Sequence, residues 1–154
     1  MALFLVQHGS SLPKDKDPGQ NLSEDGISDV KRIAAAASKY AICVSRIQHS
    51  GKPRAQQTAE ILAMALNPDD GVQETAGLNP LDDVSAFVDK ISNTNNQMLV
   101  GHLPFMEKLT SLLITGSIDK PVLKFQNGGI VCLDQDNDAW FIKWTLMPEQ
   151  LLIC

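Results

Sequence analysis

The chain has no apolar run long enough to cross a bilayer, which sets aside a helical membrane span. Its N-terminus has no basic stretch ahead of a short apolar run and no small-residue cleavage site, so no signal peptide is expected. Only three cysteines occur, Cys43, Cys132 and Cys154, scattered and without a CxxC pair. That pattern excludes a disulfide frame and a cysteine zinc site, and suits free or buried thiols in a reducing cytoplasm. Basic charge is also short: the formal net charge is −5, which argues against a broad nucleic-acid surface. No P-loop is present and no GxGxxG follows the first strand, so nucleotide-binding readings fail. Neither HExxH nor any other short-range ligand spacing joins His8, His49 and His102, and no metal is expected.

What is present is an alternation of two patterns. Apolar, β-prone runs occur at "ALFLV", "AICVSRIQ", "GVQETAGL" and "QMLVGH". Helical spacing occurs between them. Ser23 reads as a cap for "EDGISDVKRIAAAASKY", where Ile27, Val30, Ile33 or Ala34, and Ala37 recur at helical intervals. Pro53 suits the first turn of "PRAQQTAEILAMAL". "DVSAFVDKIS" reads as a short helix, and "PFMEKLTSLLITG" as a longer one stopped by Gly116. The last third, "PVLKFQNGGIVCLDQDNDAWFIKWTLM", reads as strand-rich, with Asn127-Gly128 and Asp136-Asn137 as turns. The 154 residues are enough for one domain with a real core, and no repeat or linker divides them. The expected architecture is α/β, three layers, with a mostly parallel sheet, helices on both faces and an antiparallel member near the end.

In such a sheet ligands gather beyond the carboxyl ends of the strands. His8 follows the first strand, Ser50 and Arg54 follow the second, and His102 follows the strand "MLVG". Each alone is a weak signal. A histidine at one strand end is as often a hydrogen-bonded structural residue, and most arginines are solvated. Together, two imidazoles, an arginine and two helix N-termini on one rim make an anion site. Arg54 can fork onto two phosphate oxygens, and a neutral histidine nitrogen can attack phosphorus.

The segments "LVQHGSS", "NLSEDG", "HSGKPRAQQTAEIL" and "MLVGHLP", in that order, resemble the histidine phosphatase superfamily. They are most similar to its small SixA-type phosphohistidine phosphatases, which lack a cap over the site. The resemblance spans residues 3 to about 114, and it implies a phosphoglycerate mutase-like fold. It implies His8 as the nucleophile that takes the phosphoryl group, Arg54 as the phosphate clamp and His102 as the second histidine of the pocket. It further implies a two-step, cofactor-free and metal-free hydrolysis, with phosphohistidine on a signalling or phosphotransfer protein as substrate. The expected partner is a phosphorylated protein or a small phosphate substrate, with neither nucleic acid nor membrane.

The family signature is Arg-His-Gly, whereas this chain has Gln7-His8-Gly9, and Gln20 stands where many small members carry a second arginine. A glutamine donates through its amide but brings no charge and no fork. Hydrogen bonds to charged groups contribute about 1.5–3 kcal/mol, so one lost charge costs about ten- to a hundredfold in transition-state binding. Lys52, Ser10 and the turn at Gly9 are the compensating phosphate contacts expected, with Lys52 also readable as a solvated loop lysine. Glu24, Asp25 and Asp82 are candidate general acids, though each reads first as an ordinary helix-start carboxylate interacting with the dipole. Three functions stay open: a phosphohistidine phosphatase, at full or weakened activity; a small-molecule phosphomonoesterase; and a phospho-ligand binding module that does not turn over.

Overall fold

The computed structural model describes residues 2–91 and 96–152. Its elements in chain order are β1 (Leu3–Gln7), α1 (Glu24–Lys39), β2 (Arg46–His49), α2 (Pro53–Leu66), β3 (Val72–Glu74), α3 (Val84–Val88), β4 (Gln97–Gly101), α4 (Phe105–Thr115), β5 (Ile130–Asp136) and β6 (Ala139–Leu146). A 3-10 turn at Pro148–Leu151 follows. Among the described residues no helix is long and apolar enough to cross a membrane.

One six-stranded sheet runs β3-β2-β4-β1-β5-β6. The first four strands in that order are parallel, and β5 and β6 are antiparallel additions on the β1 side. β1 and β4 are buried at every residue, which is why both read as unbroken apolar runs rather than alternating ones. Alternate residues of the central strands feed two cores. Phe4, Val6, Ile47, Met98 and Val100 pack against Val30, Ile33 and Ala37 of α1 and Ala55, Ala59 and Leu62 of α2. Leu3, Leu5 and Leu99 pack on the other face against Val84 and Phe87 of α3 and Phe105, Met106 and Leu109 of α4. Each such side chain contributes about 1.5–3 kcal/mol when fully buried. The expected three-layer α/β/α architecture is therefore the one found.

The ends of the helices follow the expected chemistry. The Ser23 side chain accepts from the Gly26 N–H at the start of α1. Pro53 opens α2, and Gly116, at φ 81°, closes α4 with its N–H on Leu112 O. Four expectations differ in detail. "AICVS" is not strand: Ala41 takes a left-handed turn after α1, and Val44 is buried from irregular chain. "PVLKFQ" also forms no strand, although Phe125 is buried; the hairpin starts only after the turn at Asn127-Gly128. Helix α3 is shorter than "DVSAFVDKIS", whose Ser92 lies outside the described residues. On α1, Gly26 rather than Ile27 faces inward, because the backbone of Ser10 lies against it: a Cβ on Gly26 would sit 2.0 Å from Ser10 O. Cys154 also lies outside the described residues.

Candidate active site

Because β2, β4 and β1 are adjacent and parallel, their carboxyl ends open on one edge of the sheet. That edge brings His8, Ser50, Arg54 and His102 together.

His8 leaves β1 with its N–H on Gly101 O at 3.0 Å. Its Nδ1 lies 2.7 Å from Gly9 O. A carbonyl only accepts, so Nδ1 carries the proton. On the other side, Arg54 Nε–H donates to His8 Nε2 at 3.3 Å. A guanidinium only donates, so Nε2 holds a lone pair. The two contacts fix one tautomer, neutral with Nε2 available. Burial lowers the His8 pKa; the bond to Gly9 O opposes this and the Arg54 charge adds to it. Burial also lowers that of Arg54.

His102 is 1% exposed, and its ring centroid lies 5.0 Å from that of His8. Its Nε2 is 2.6 Å from Ser50 Oγ, and its Nδ1 is buried without a partner. Burial first, then His8 whenever it is protonated and the charges of Arg54 and Lys52, push its pKa down to about 3, so the ring is neutral near pH 7. Lys52 is the last of these causes. It stands at the N-cap of α2 without a side-chain capping bond.

The motif "RAQQT" distributes its work along one side of α2, at positions i, i+3 and i+4. Arg54 faces His8. Gln57 accepts from Leu22 N–H at 2.8 Å and donates to Asn21 Oδ1 at 2.7 Å, tying the 10–23 loop to α2. Thr58 Oγ1 accepts from Gly9 N–H at 3.0 Å and donates to Arg54 O at 2.7 Å. Asn127 Nδ2 donates to His8 O at 3.1 Å, and Gly128 N–H donates to Gln7 O at 2.8 Å. The nucleophile candidate is thus clasped from α2 and from the turn before β5. Sequence reasoning missed Gln57, Thr58, Asn127 and the role of Ser50. The signal was there in part, since Ser50, Arg54 and Thr58 recur every four residues.

The remaining expected phosphate ligands sort differently. Gly9 offers no free N–H, because Thr58 holds it; a Cβ there would meet Val30 Cγ2 at 2.7 Å, so this glycine serves the close approach of α1. Gln7 is 8% exposed at the rim end of β1, and its Oε1 is buried without a partner. Ser10 is fixed through its carbonyl, which accepts from Ser23 N–H and Oγ–H. Gln20 sits in a left-handed turn in a loop organised by Asp17, and its side chain makes no hydrogen bond among the described residues. Glu24 and Asp25 are exposed in the first turn of α1, and Asp82 accepts from Asn79 N–H; none of the three is hydrogen-bonded or ion-paired to His8, Arg54 or His102. His49 accepts from Gly51 N–H at 3.0 Å and joins no cluster of three metal-ligating groups among the described residues.

No protein-family model matches the chain, and no curated protein sequence matches it. Solved structures do. The protein histidine phosphatase SixA complexed with tungstate superposes with a TM-score of 0.84 at 24% identity, covering 99% of this chain and 100% of that one. A protein from Agrobacterium tumefaciens, provisionally described as the phosphohistidine phosphatase SixA, gives 0.77 at 22% identity over 96% and 97%. A histidine-to-alanine mutant of a phosphoserine phosphatase from Entamoeba histolytica, in complex with phosphoserine, gives 0.70 at 16% over 98% and 99%. The chain has the phosphoglycerate mutase-like fold of these phosphatase structures, at their full length.

Proposed function

We propose that this chain is a SixA-type histidine phosphatase that hydrolyses phosphohistidine on a protein through a covalent intermediate at His8. The observation that carries the reading is the tautomer of His8. With Nδ1–H on Gly9 O, the lone pair on Nε2 faces Arg54, the group best suited to hold a phosphoryl oxygen. The substrate phosphoryl displaces the Arg54 contact and lies between Nε2 and the guanidinium. Nε2 attacks phosphorus, the P–Nε2 bond forms, and the bond to the carrier imidazole breaks. The carrier ring, protonated beforehand by solvent on its other nitrogen, leaves as a neutral imidazole with the electron pair of the broken P–N bond. Gly9 O steadies the positive charge that appears on the His8 ring. Water then attacks phosphorus, phosphate departs, and the pair returns to Nε2. Arg54, the Lys52 ammonium and His102 offset the charge of the phosphoryl oxygens in both steps. No dedicated acid is required, because a protonated imidazole is already a good leaving group; Glu24, Asp25 and Asp82 are unused here.

A second reading is a phospho-ligand binding module without turnover. The uncharged, buried Gln7 favours it, since the first strand then brings no cation to the rim. The test is brief incubation with a protein radiolabelled on histidine, with labelled phosphoramidate alongside, followed by denaturing electrophoresis. Wild type is expected to carry an acid-labile label that His8→Ala lacks, and to release phosphate. Phosphate binding without label or release would establish the binding module instead. Faster turnover of a small phosphomonoester than of the phosphoprotein would move the substrate assignment to small molecules.

A further inference from the structure

Ser50 bears no charge and is not hydrogen-bonded to His8, yet on the phosphatase reading it serves the same site. Its hydroxyl lies between two groups. Lys52 N–H donates to Ser50 Oγ at 3.3 Å, which uses the oxygen as acceptor. His102 Nε2 lies at 2.6 Å, and among the described residues no other acceptor is hydrogen-bonded to this hydroxyl. A serine hydroxyl has one proton to give. The oxygen keeps a second lone pair, so the contact by itself admits two directions: the hydroxyl donates to an unprotonated Nε2, or accepts from Nε2–H. In the first case the single proton of the neutral ring lies on Nδ1, the atom that is buried without a partner.

A buried N–H without an acceptor costs about 1–3 kcal/mol, and such groups are rare in folded proteins unless a ligand completes them. The opposite tautomer would leave a bare nitrogen lone pair in the same place. A phosphoryl oxygen accepts and never donates, so it would be repelled by a bare Nδ1 and held by Nδ1–H. We infer that Ser50 is a positioning residue: it fixes His102 with its proton on Nδ1 and so reserves that N–H for a phosphoryl oxygen. The turn at Gly51 supports this arrangement. Gly51 takes φ 90° and gives its N–H to His49 Nδ1, which sets the backbone that brings Lys52 N–H onto Ser50.

The test is long-range proton–nitrogen correlation NMR of the histidine rings in uniformly labelled, ligand-free protein near pH 7. His102 is expected to show a protonated Nδ1 and an unprotonated Nε2. Ser50→Ala is expected to lose that fixed pattern and average between tautomers, while Ser50→Thr keeps it. Phosphoenzyme formation is expected to fall about tenfold in Ser50→Ala and to recover in Ser50→Thr, a loss of about 1.4 kcal/mol in transition-state binding. A wild-type His102 protonated on Nε2, or a Ser50→Ala spectrum with the pattern unchanged, overturns the inference. Adding tungstate or inorganic phosphate is expected to move the Nδ1–H resonance; its failure to move while His8 resonances do would also overturn it. Absence of phosphoenzyme in every variant, with the tautomer as expected, would defeat the phosphatase reading and leave the Ser50 assignment standing.

Discussion

The ends of β2 and β4 each bury a histidine, and the two are handled in opposite ways. His49 is 5% exposed, and the Nδ1 of its ring takes the Gly51 N–H, which closes its own turn. His102 is 1% exposed, and its Nδ1 is left without a partner one strand away. Burial lowers the pKa of both. Depth and titration therefore do not separate structure from function here. The unspent nitrogen does so on the proposed reading: the Nδ1 of His49 is used by its own turn, whereas that of His102 is left for a ligand.

The largest test of that contrast is substitution of both. His102→Gln is expected to lower kcat/KM by about a hundred- to a thousandfold, the usual cost of one transition-state donor. His49→Gln should leave most activity and instead cost about 1 kcal/mol of stability in urea denaturation, the worth of one hydrogen bond. Equal losses of activity would break the distinction. Next in size is Gln7→Arg. If Gln7 sits on the phosphate, restoring a charge there should raise kcat/KM about tenfold. No change, or a loss, would remove Gln7 from the phosphate site and throw the pocket's charge back on Arg54 and Lys52.

The smallest effect is on stability against pH. The folded-state pKa values of His8, His49 and His102 all lie below the ordinary 6.5. On acidification the unfolded chain therefore binds protons first. The stability these neutral rings contribute is intact above about pH 6.5 and declines as pH falls below it. For His102 the decline continues towards about 3. Urea midpoints between pH 7 and 4.5, above the ordinary carboxylate value of 3.8, should fall steadily in wild type and less steeply in His102→Gln. Identical slopes would mean that His102 is not held neutral by its surroundings.

Much of this site was legible because its residues occupy strand ends, and an apolar run ending in a polar residue marks such an end directly. His8 and His102 were found that way, just past β1 and β4, and Arg54 as the start of the helix that follows β2. What escaped was the reason for their neighbours. Gly9 looked like room for a phosphate, but its N–H belongs to Thr58 and its missing Cβ makes room for Val30. The partners lie 49 and 21 residues away along the chain, a distance that no local pattern reports. The strand "AICVSRIQ" was read too long for a similar reason. Val44 is apolar because it is buried, and burial from a loop looks the same in sequence as burial from a strand. "PVLKFQ" repeats the lesson, with Phe125 buried and no ladder beside it.

The β5–β6 hairpin has a practical consequence. Ile130 pairs with Val6 at the rim end of β1, and Leu133 pairs with Leu3 at the other end, so the turn at Asn137 and Asp138 lies at the edge of the sheet farthest from His8. Both turn residues are exposed and left-handed. A fluorophore, an affinity handle or a surface linkage placed there would hold the protein from behind, leaving the rim that carries His8 uncovered.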